Sequence, residues 1–381
     1  MGLSIMALAH AASRDYQTEG LTSDALPVYY QQLKAQMTYD DSWLSGHFHN
    51  FHLWQVMARH KLRAALLTPD SHRAFEPEVI DVEDRGSYVA EKVAFNVTDE
   101  SRILGLLLLP KSEGRHAGVI LLHDHGAKFD IGKEKMVRPF AGDTQRLASA
   151  QAWSERFFTG HFVGDELASR GYVVFVTDAL GWGDRGPMTY AQQQALASNF
   201  FNLGRSLAGE MAYEDMRSFE FLQSLPQVDK HRVGIVGFSM GGFRAWQLAA
   251  LEPSEVATAV ISWIGTYQGL MVPGNNQLRG QSAFYMMHPG LAKHMDFPDI
   301  ASISAPKPML FFNGEKDTLF PEDAVQDAYN ALHQVWQSQH GDHDERLVTR
   351  LWPELGHVFY WQQQQVVYPW LAKWLQPELL N

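Results

Sequence analysis

A chain of 381 residues, 45% hydrophobic and 12% aromatic, can bury a large core, which excludes a disordered polypeptide. Its formal charge of −12, with no Lys/Arg run or basic stripe, argues against nucleic acid as a partner, and no apolar run is long enough to span a bilayer. The absence of cysteine excludes disulfides, thiolate metal sites and a cysteine nucleophile, and leaves the redox compartment open.

Residues 3–12 read as the back half of a secretory h-region with an Ala9-His10-Ala11 cleavage site, but no Lys or Arg precedes them. Two readings stand: a truncated signal peptide, placing the protein in the periplasm or outside the cell, or an ordinary apolar segment of a cytoplasmic protein. Residues 24–70 read as helical, because Phe51, Trp54, Ala58, Leu62 and Ala65 recur at three and four along one face. Residues 1–85 are therefore expected as a helical extension packed on a main domain, 86–381. His47, His49 and His52 fall within six residues, but no carboxylate or cysteine sits at a companion spacing, so they read as a polar helix start.

Val89, Val93, Phe95 and Val97 share one face of a strand over residues 87–97, and residues 102–109 give a second. With Thr98-Asp-Glu-Ser101 between them, the two form an antiparallel hairpin at a sheet edge. Short apolar runs then alternate with helical stretches, at 118–122, 172–177, 232–236, 257–264, 308–312 and 346–351, as a parallel sheet with crossover helices requires. Ala208, Ala212, Met216, Phe219 and Leu222 mark one such helix. The sequence thus predicts an α/β protein with a mostly parallel central sheet, an antiparallel N-terminal hairpin and helices on both faces. Two stretches, about 127–160 and 265–304, exceed a plain crossover and are expected to shape a pocket at the C-terminal ends of the strands.

Gly237-Phe-Ser-Met-Gly241 is a G-x-S-x-G nucleophile elbow, set between an apolar run at 233–236 and a helical stretch at 243–251. A serine hydroxyl becomes nucleophilic only when an imidazole takes its proton, and that imidazole needs a carboxylate to fix its tautomer. Asp317 ends the run Pro308-Met-Leu-Phe-Phe-Asn-Gly-Glu-Lys-Asp317, and His357 follows the last strand, so both fall on strand-end loops like Ser239. Glu315 and Asp178 compete with Asp317 as the acid, although Asp178 reads as a cap of the turn at 179–183; His340 and His343 compete with His357 but lie in a polar stretch. The oxyanion needs two N–H donors: the backbone of Met240, and that of His125 in Leu121-Leu-His-Asp-His-Gly126, with Gly126 as second choice. His123 and His125 at i and i+2, without a third ligand, are a weak metal motif, so no metal or organic cofactor is expected. Trp182, Trp263 and Tyr267, close to strand ends, are candidates to line the substrate pocket.

Taken together these residues resemble the α/β-hydrolase superfamily, within it the dienelactone hydrolase-like and acetyl xylan esterase-like branch. The resemblance runs from about Phe51 to the C-terminus. It rests on the elbow, on Leu122-His-Asp-His-Gly126 followed by Gly132-Lys-Glu-Lys135, on residues 167–183, and on Asn313-Gly-Glu-Lys-Asp317 with Gly356-His357. It implies a serine carboxylesterase acting on small-molecule or carbohydrate esters, acetyl groups on sugars among them. Dienelactone hydrolases carry a cysteine where this chain has Ser239, and many relatives have His-Gly where it has His123-Asp124. Two rival readings remain: a serine peptidase of the prolyl-oligopeptidase kind, and a binding protein that keeps the fold without the chemistry. Self-association into a homo-oligomer is left open.

Overall fold

The computed structural model describes residues 20–21, 26–67, 69, 71, 73–254, 256–275, 277, 284–340 and 345–376; the apolar start of the chain and His343 fall outside them. The chain divides into two compact units, residues 1–37 and 38–381. In the first, Leu21 bridges to Pro27 and the helix α1 (Tyr30–Ala35) follows. All other elements belong to the second.

The helical run expected over 24–70 is broken. After α1 come a 3-10 turn at Trp43–Ser45 and then α2 (Phe51–Ala64), each with its own N-cap: Ser42 accepts from the Leu44 N–H and Asn50 from the Leu53 N–H. Short polar side chains that satisfy backbone donors end one helix and start the next, which the apolar period alone does not register. Within α2 the expected face is buried at Trp54, Ala58 and Leu62. Arg59 and Arg63 bond the carbonyls of Ala250 and Leu251 at 2.8 and 2.9 Å, so a helix expected as a cover is stitched to the main domain.

A second difference lies at residues 78–84, expected within the helical extension. They form a strand, β1 (Glu78–Asp84), which pairs antiparallel with β2 (Tyr88–Asn96) and so belongs to the main sheet. The hairpin of β2 and β3 (Arg102–Pro110) has Val93 opposite Gly105, and lies one strand in from the edge. As an edge strand β1 is solvent-exposed and interleaves Glu78, Asp81, Glu83 and Asp84 with its valines, which blunts edge-to-edge pairing but masks the alternation that marks a strand.

Next come β4 (His116–Leu122), α3 (Thr144–Phe158), α4 (Val163–Ser169), β5 (Val173–Thr177), α5 (Tyr190–Asn202), α6 (Leu207–Ser224), β6 (Val228–Phe238) and α7 (Met240–Leu251). They are followed by β7 (Val256–Ile261), α8 (Tyr267–Leu270), α9 (Phe297–Ser302), β8 (Met309–Gly314), α10 (Glu322–His340), β9 (Leu347–Trp352) and α11 (Trp361–Leu375). Among the described residues nine strands lie in the order β1-β2-β3-β5-β4-β6-β7-β8-β9, antiparallel through the β3–β5 pair and parallel from β5 through β4 to β9. From β4 the chain crosses to β5 on one side, and from β6 to β7 on the other. The carboxyl ends of β4 and β6 thus flank the switch point where an open α/β sheet leaves a crevice.

Candidate active site

Ser239 stands at the end of β6, where the strand turns into α7 with φ 55° and ψ −123°. This left-handed backbone costs a non-glycine residue about 1–3 kcal/mol. The turn is tight enough that a Cβ at Gly237 would lie 1.9 Å from the Gly241 carbonyl oxygen, and one at Gly241 1.8 Å from that of Leu122. Only glycine fits at either position, so the motif is a steric requirement of the turn. Gly241→Ala must push α7 away from β4 and is expected to lose at least about 3 kcal/mol of stability in chemical denaturation, an overpacking cost on a backbone contact; a loss below about 1 kcal/mol would show that the turn can relax.

Three strand-end loops meet at this corner. His357 Nε2 is 2.7 Å from Ser239 Oγ, and His357 Nδ1 is 2.7 Å from Asp317 Oδ2. The carboxylate can only accept, so Nδ1 carries the proton and Nε2 is left to accept from the serine. Asp317 has no exposed side-chain surface, while His357 keeps 19% of its own, on the cavity side. A backbone N–H from Leu319 reaches the other Asp317 oxygen at 2.9 Å. The loops carrying acid and base are tied to each other: Lys316 N–H donates to Leu355 O, and Glu354 N–H to Glu315 Oε2. Glu315, a competitor for the acid, is thereby engaged as a loop clamp. Asp178, the other competitor, is buried and accepts from the Lys133 and Asp184 N–H groups. His340 ends α10.

Burial opposes protonation of His357, but the Asp317 carboxylate at contact, with Asp124 further away, outweighs it and raises the imidazole above its ordinary value. His125 behaves oppositely: burial and the Lys135 ammonium push it down to about 3, so it is neutral. Its Nε2 faces Gln193 Oε1 at 3.3 Å and its Nδ1 accepts from Ala127 N–H at 3.1 Å. His123 Nδ1 donates to Asp124 O at 2.8 Å and its Nε2 accepts from Ala179 N–H at 3.0 Å. All four ring nitrogens are occupied by the protein, and among the described residues no three His, Asp or Glu side chains cluster as metal ligands.

A cavity of about 390 Å³ opens beside Ser239 and His357. Both long inserts line it, the first through Trp153 and Phe157, the second through Leu270 and Met286, together with the loop at Phe320. Of the three aromatics expected there, only Trp263 is on its wall. Trp182 is fully buried behind His125, with its indole N–H bonded to the His125 carbonyl at 3.0 Å, and Tyr267 is stacked on Phe297 with ring centroids 3.9 Å apart. A position near a strand end does not say which way a ring points, and these two point into the core. Tyr190, at the start of α5, lines the cavity instead. His125 and Gly126 lie on the wall of this space, and Met240, buried next to Ser239, is the first residue of α7, so that its N–H has no intrahelical acceptor.

The model of the family described as the dienelactone hydrolase family matches residues 158–374, which hold the elbow, Asp317 and His357. The chain belongs to this family. Its family name specifies hydrolysis of a lactone, a cyclic carboxylic ester, and the chain is a hydrolase. YtaP of Bacillus subtilis strain 168, provisionally assigned as a hydrolase, is 28% identical over 273 residues, covering 71% of this chain and 84% of YtaP. Among solved structures, a protein of Bacteroides fragilis provisionally assigned as an acetyl xylan esterase superposes with a TM-score of 0.69 at 17% identity, covering 92% of this chain and 96% of that one. A glucuronoyl esterase from Solibacter usitatus superposes at 0.59 and 14% identity, covering 93% and 96%. At such identities these two establish the α/β-hydrolase fold.

Proposed function

We propose that this family member is a serine carboxylesterase that hydrolyses small acyl esters, with acetyl esters of carbohydrates as its substrate class. The observation that carries the reading is the unbroken path from Asp317 Oδ2 through both nitrogens of His357 to Ser239 Oγ, each step 2.7 Å. In this mechanism His357 takes the Ser239 proton as Oγ attacks the ester carbonyl, and the Met240 and His125 amides hold the oxyanion. The intermediate collapses to an acyl-enzyme as the alcohol leaves with the proton from His357. Water, deprotonated by the same imidazole, then attacks the acyl group, and the acid leaves as Ser239 regains its proton.

The two structural neighbours described above are named as an acetyl xylan esterase and a glucuronoyl esterase, which supports a sugar ester as substrate. The cavity volume of about 390 Å³, walled by Trp153, Trp263 and Phe157, suits a short acyl group and a flat apolar face. On p-nitrophenyl esters, kcat/KM is expected to fall at least about tenfold from acetate to decanoate, since each methylene that outgrows the apolar wall costs discrimination energy. A rate that climbs with chain length would mean a lipase-like site. Release of acetate from acetylated xylan oligosaccharides tests the carbohydrate part, and failure there with good p-nitrophenyl acetate turnover would remove the sugar while leaving the esterase. A peptidase reading is favoured by a second relative, the Bacillus subtilis protein named as an uncharacterised peptidase, YtmA, which is 29% identical over 43% of this chain. Cleavage of peptide amides faster than of the matching esters would select it.

A further inference from the structure

The turn Gly132-Lys-Glu-Lys135 lies directly behind the loop that follows β4, and the mechanism above does not use it. Lys133 pins the turn to the loop after β5: its N–H and Nζ reach the two oxygens of Asp178, each at 2.7 Å, and Nζ also meets Asp184 at 2.6 Å. That leaves Lys135, with no exposed surface, pointing toward β4. Its Nζ lies 2.9 Å from the Asp124 carbonyl oxygen, 2.9 Å from the His125 carbonyl oxygen and 3.4 Å from Asp124 Oδ2. Three N–H donors of one compact ammonium thus meet three acceptors. Burial leaves its pKa below the ordinary lysine value, with the Asp124 carboxylate pulling the other way. The indoles of Trp153 and Trp182 lie 5.1 and 5.9 Å from it and close off water.

Each of the two carbonyls also accepts a second donor, His123 Nδ1 at 2.8 Å on Asp124 O and Trp182 Nε1 at 3.0 Å on His125 O. In a trans peptide the C=O and N–H point in opposite directions. Anchoring the Asp124 and His125 carbonyls toward Lys135 therefore turns the N–H groups of His125 and Gly126 the other way, and these two residues line the cavity beside Ser239. Hydrogen bonds received at a carbonyl polarise the amide and make its N–H a stronger donor.

We propose that Lys135 is the positioning residue of the oxyanion hole, fixing and polarising both candidate peptide groups, His125 N–H and Gly126 N–H, from behind. This rests on the reading of Ser239 as an acyl-transfer nucleophile. The residue touches no substrate, so its effect belongs to the transition state. In Lys135→Met, which keeps the length and removes the charge, kcat per titrated serine on p-nitrophenyl acetate is expected to fall about 10²–10³-fold. KM should stay within about threefold, the pattern of an interaction made only in the transition state. Affinity for phenylboronate, which becomes tetrahedral on the serine, should fall with kcat. A variant with a lower melting temperature but unchanged kcat per titrated site would reduce Lys135 to a packing role and overturn the proposal.

Should Lys135→Met not fold, the wild-type adduct with a small alkyl phosphonate decides. Its phosphoryl oxygen is expected about 3 Å from the His125 or Gly126 nitrogen. A phosphonate bound to Ser239 with that oxygen facing away from both amides sinks this proposal alone; no labelling at Ser239 in the wild type sinks the esterase reading and this proposal with it.

Discussion

Ser239→Ala is expected to abolish turnover, with kcat on p-nitrophenyl acetate falling by about 10⁶, the scale seen when a triad nucleophile is removed. The size follows from the geometry. His357 Nε2 has the serine hydroxyl as its partner at 2.7 Å, and an alanine leaves a base with nothing to deprotonate but water. Binding should survive, because apart from Ser239 itself the cavity wall, with Trp153, Phe157 and Trp263, is left intact. The backbone adds a second expectation. At φ 55° both serine and alanine are strained, whereas glycine is at ease there. Ser239→Gly should therefore be as inactive as Ser239→Ala and yet more stable than it by about 1 kcal/mol, since relief of strain exceeds the added chain entropy. Residual turnover in Ser239→Ala within about a hundredfold of wild type would place the nucleophile elsewhere. An order of stability with alanine above glycine would show that the elbow is not strained.

What the sequence announces of this architecture is whatever steric necessity imposes. The elbow is legible because Gly237 and Gly241 cannot be anything else, and the run at 233–236 is legible because a strand buried on both faces must be apolar throughout. Asp317 and His357 could be singled out because a serine nucleophile at this elbow would need an acid and an imidazole at the same sheet edge, and the two side chains do join Ser239 in one hydrogen-bonded path. The misses share a different cause. In β1 charges occupy the exposed edge, so the period of two is hidden, and in residues 38–50 the side-chain caps of Ser42 and Asn50 start new turns ahead of the apolar period that begins at Phe51. Trp182 and Trp153 are alike in sequence terms, yet the first bonds a backbone carbonyl in the core and the second faces the cavity. Lys135 is the extreme case, because composition places lysine at the surface and only the fold supplies the three acceptors that let it be buried.

Asp317→Asn is expected to lower kcat by about 10⁴ with little change in KM, because the neutral amide no longer fixes His357 in the tautomer that leaves Nε2 free to accept. The pH profile separates this loss from a misplaced side chain. In the wild type the imidazole is raised above its ordinary value despite burial, because the folded state holds the imidazolium against Asp317. The stabilisation from that pair is complete below the unfolded histidine pKa of about 6.5 and fades as pH rises through the higher folded value. Catalysis needs the neutral ring, so activity moves the other way. The acid limb of kcat/KM should have its midpoint above about 6.5, and the enzyme should be most active where this contribution to its stability has been lost. In Asp317→Asn burial still disfavours the charged ring and only the remoter Asp124 opposes it, so the residual activity should titrate at lower pH than in wild type. Profiles of kcat/KM between about pH 5 and 9 on both proteins test this. A common midpoint in the two would mean that the group limiting activity is not His357 facing Asp317, and the chain of proton transfers built on Ser239 would need another base.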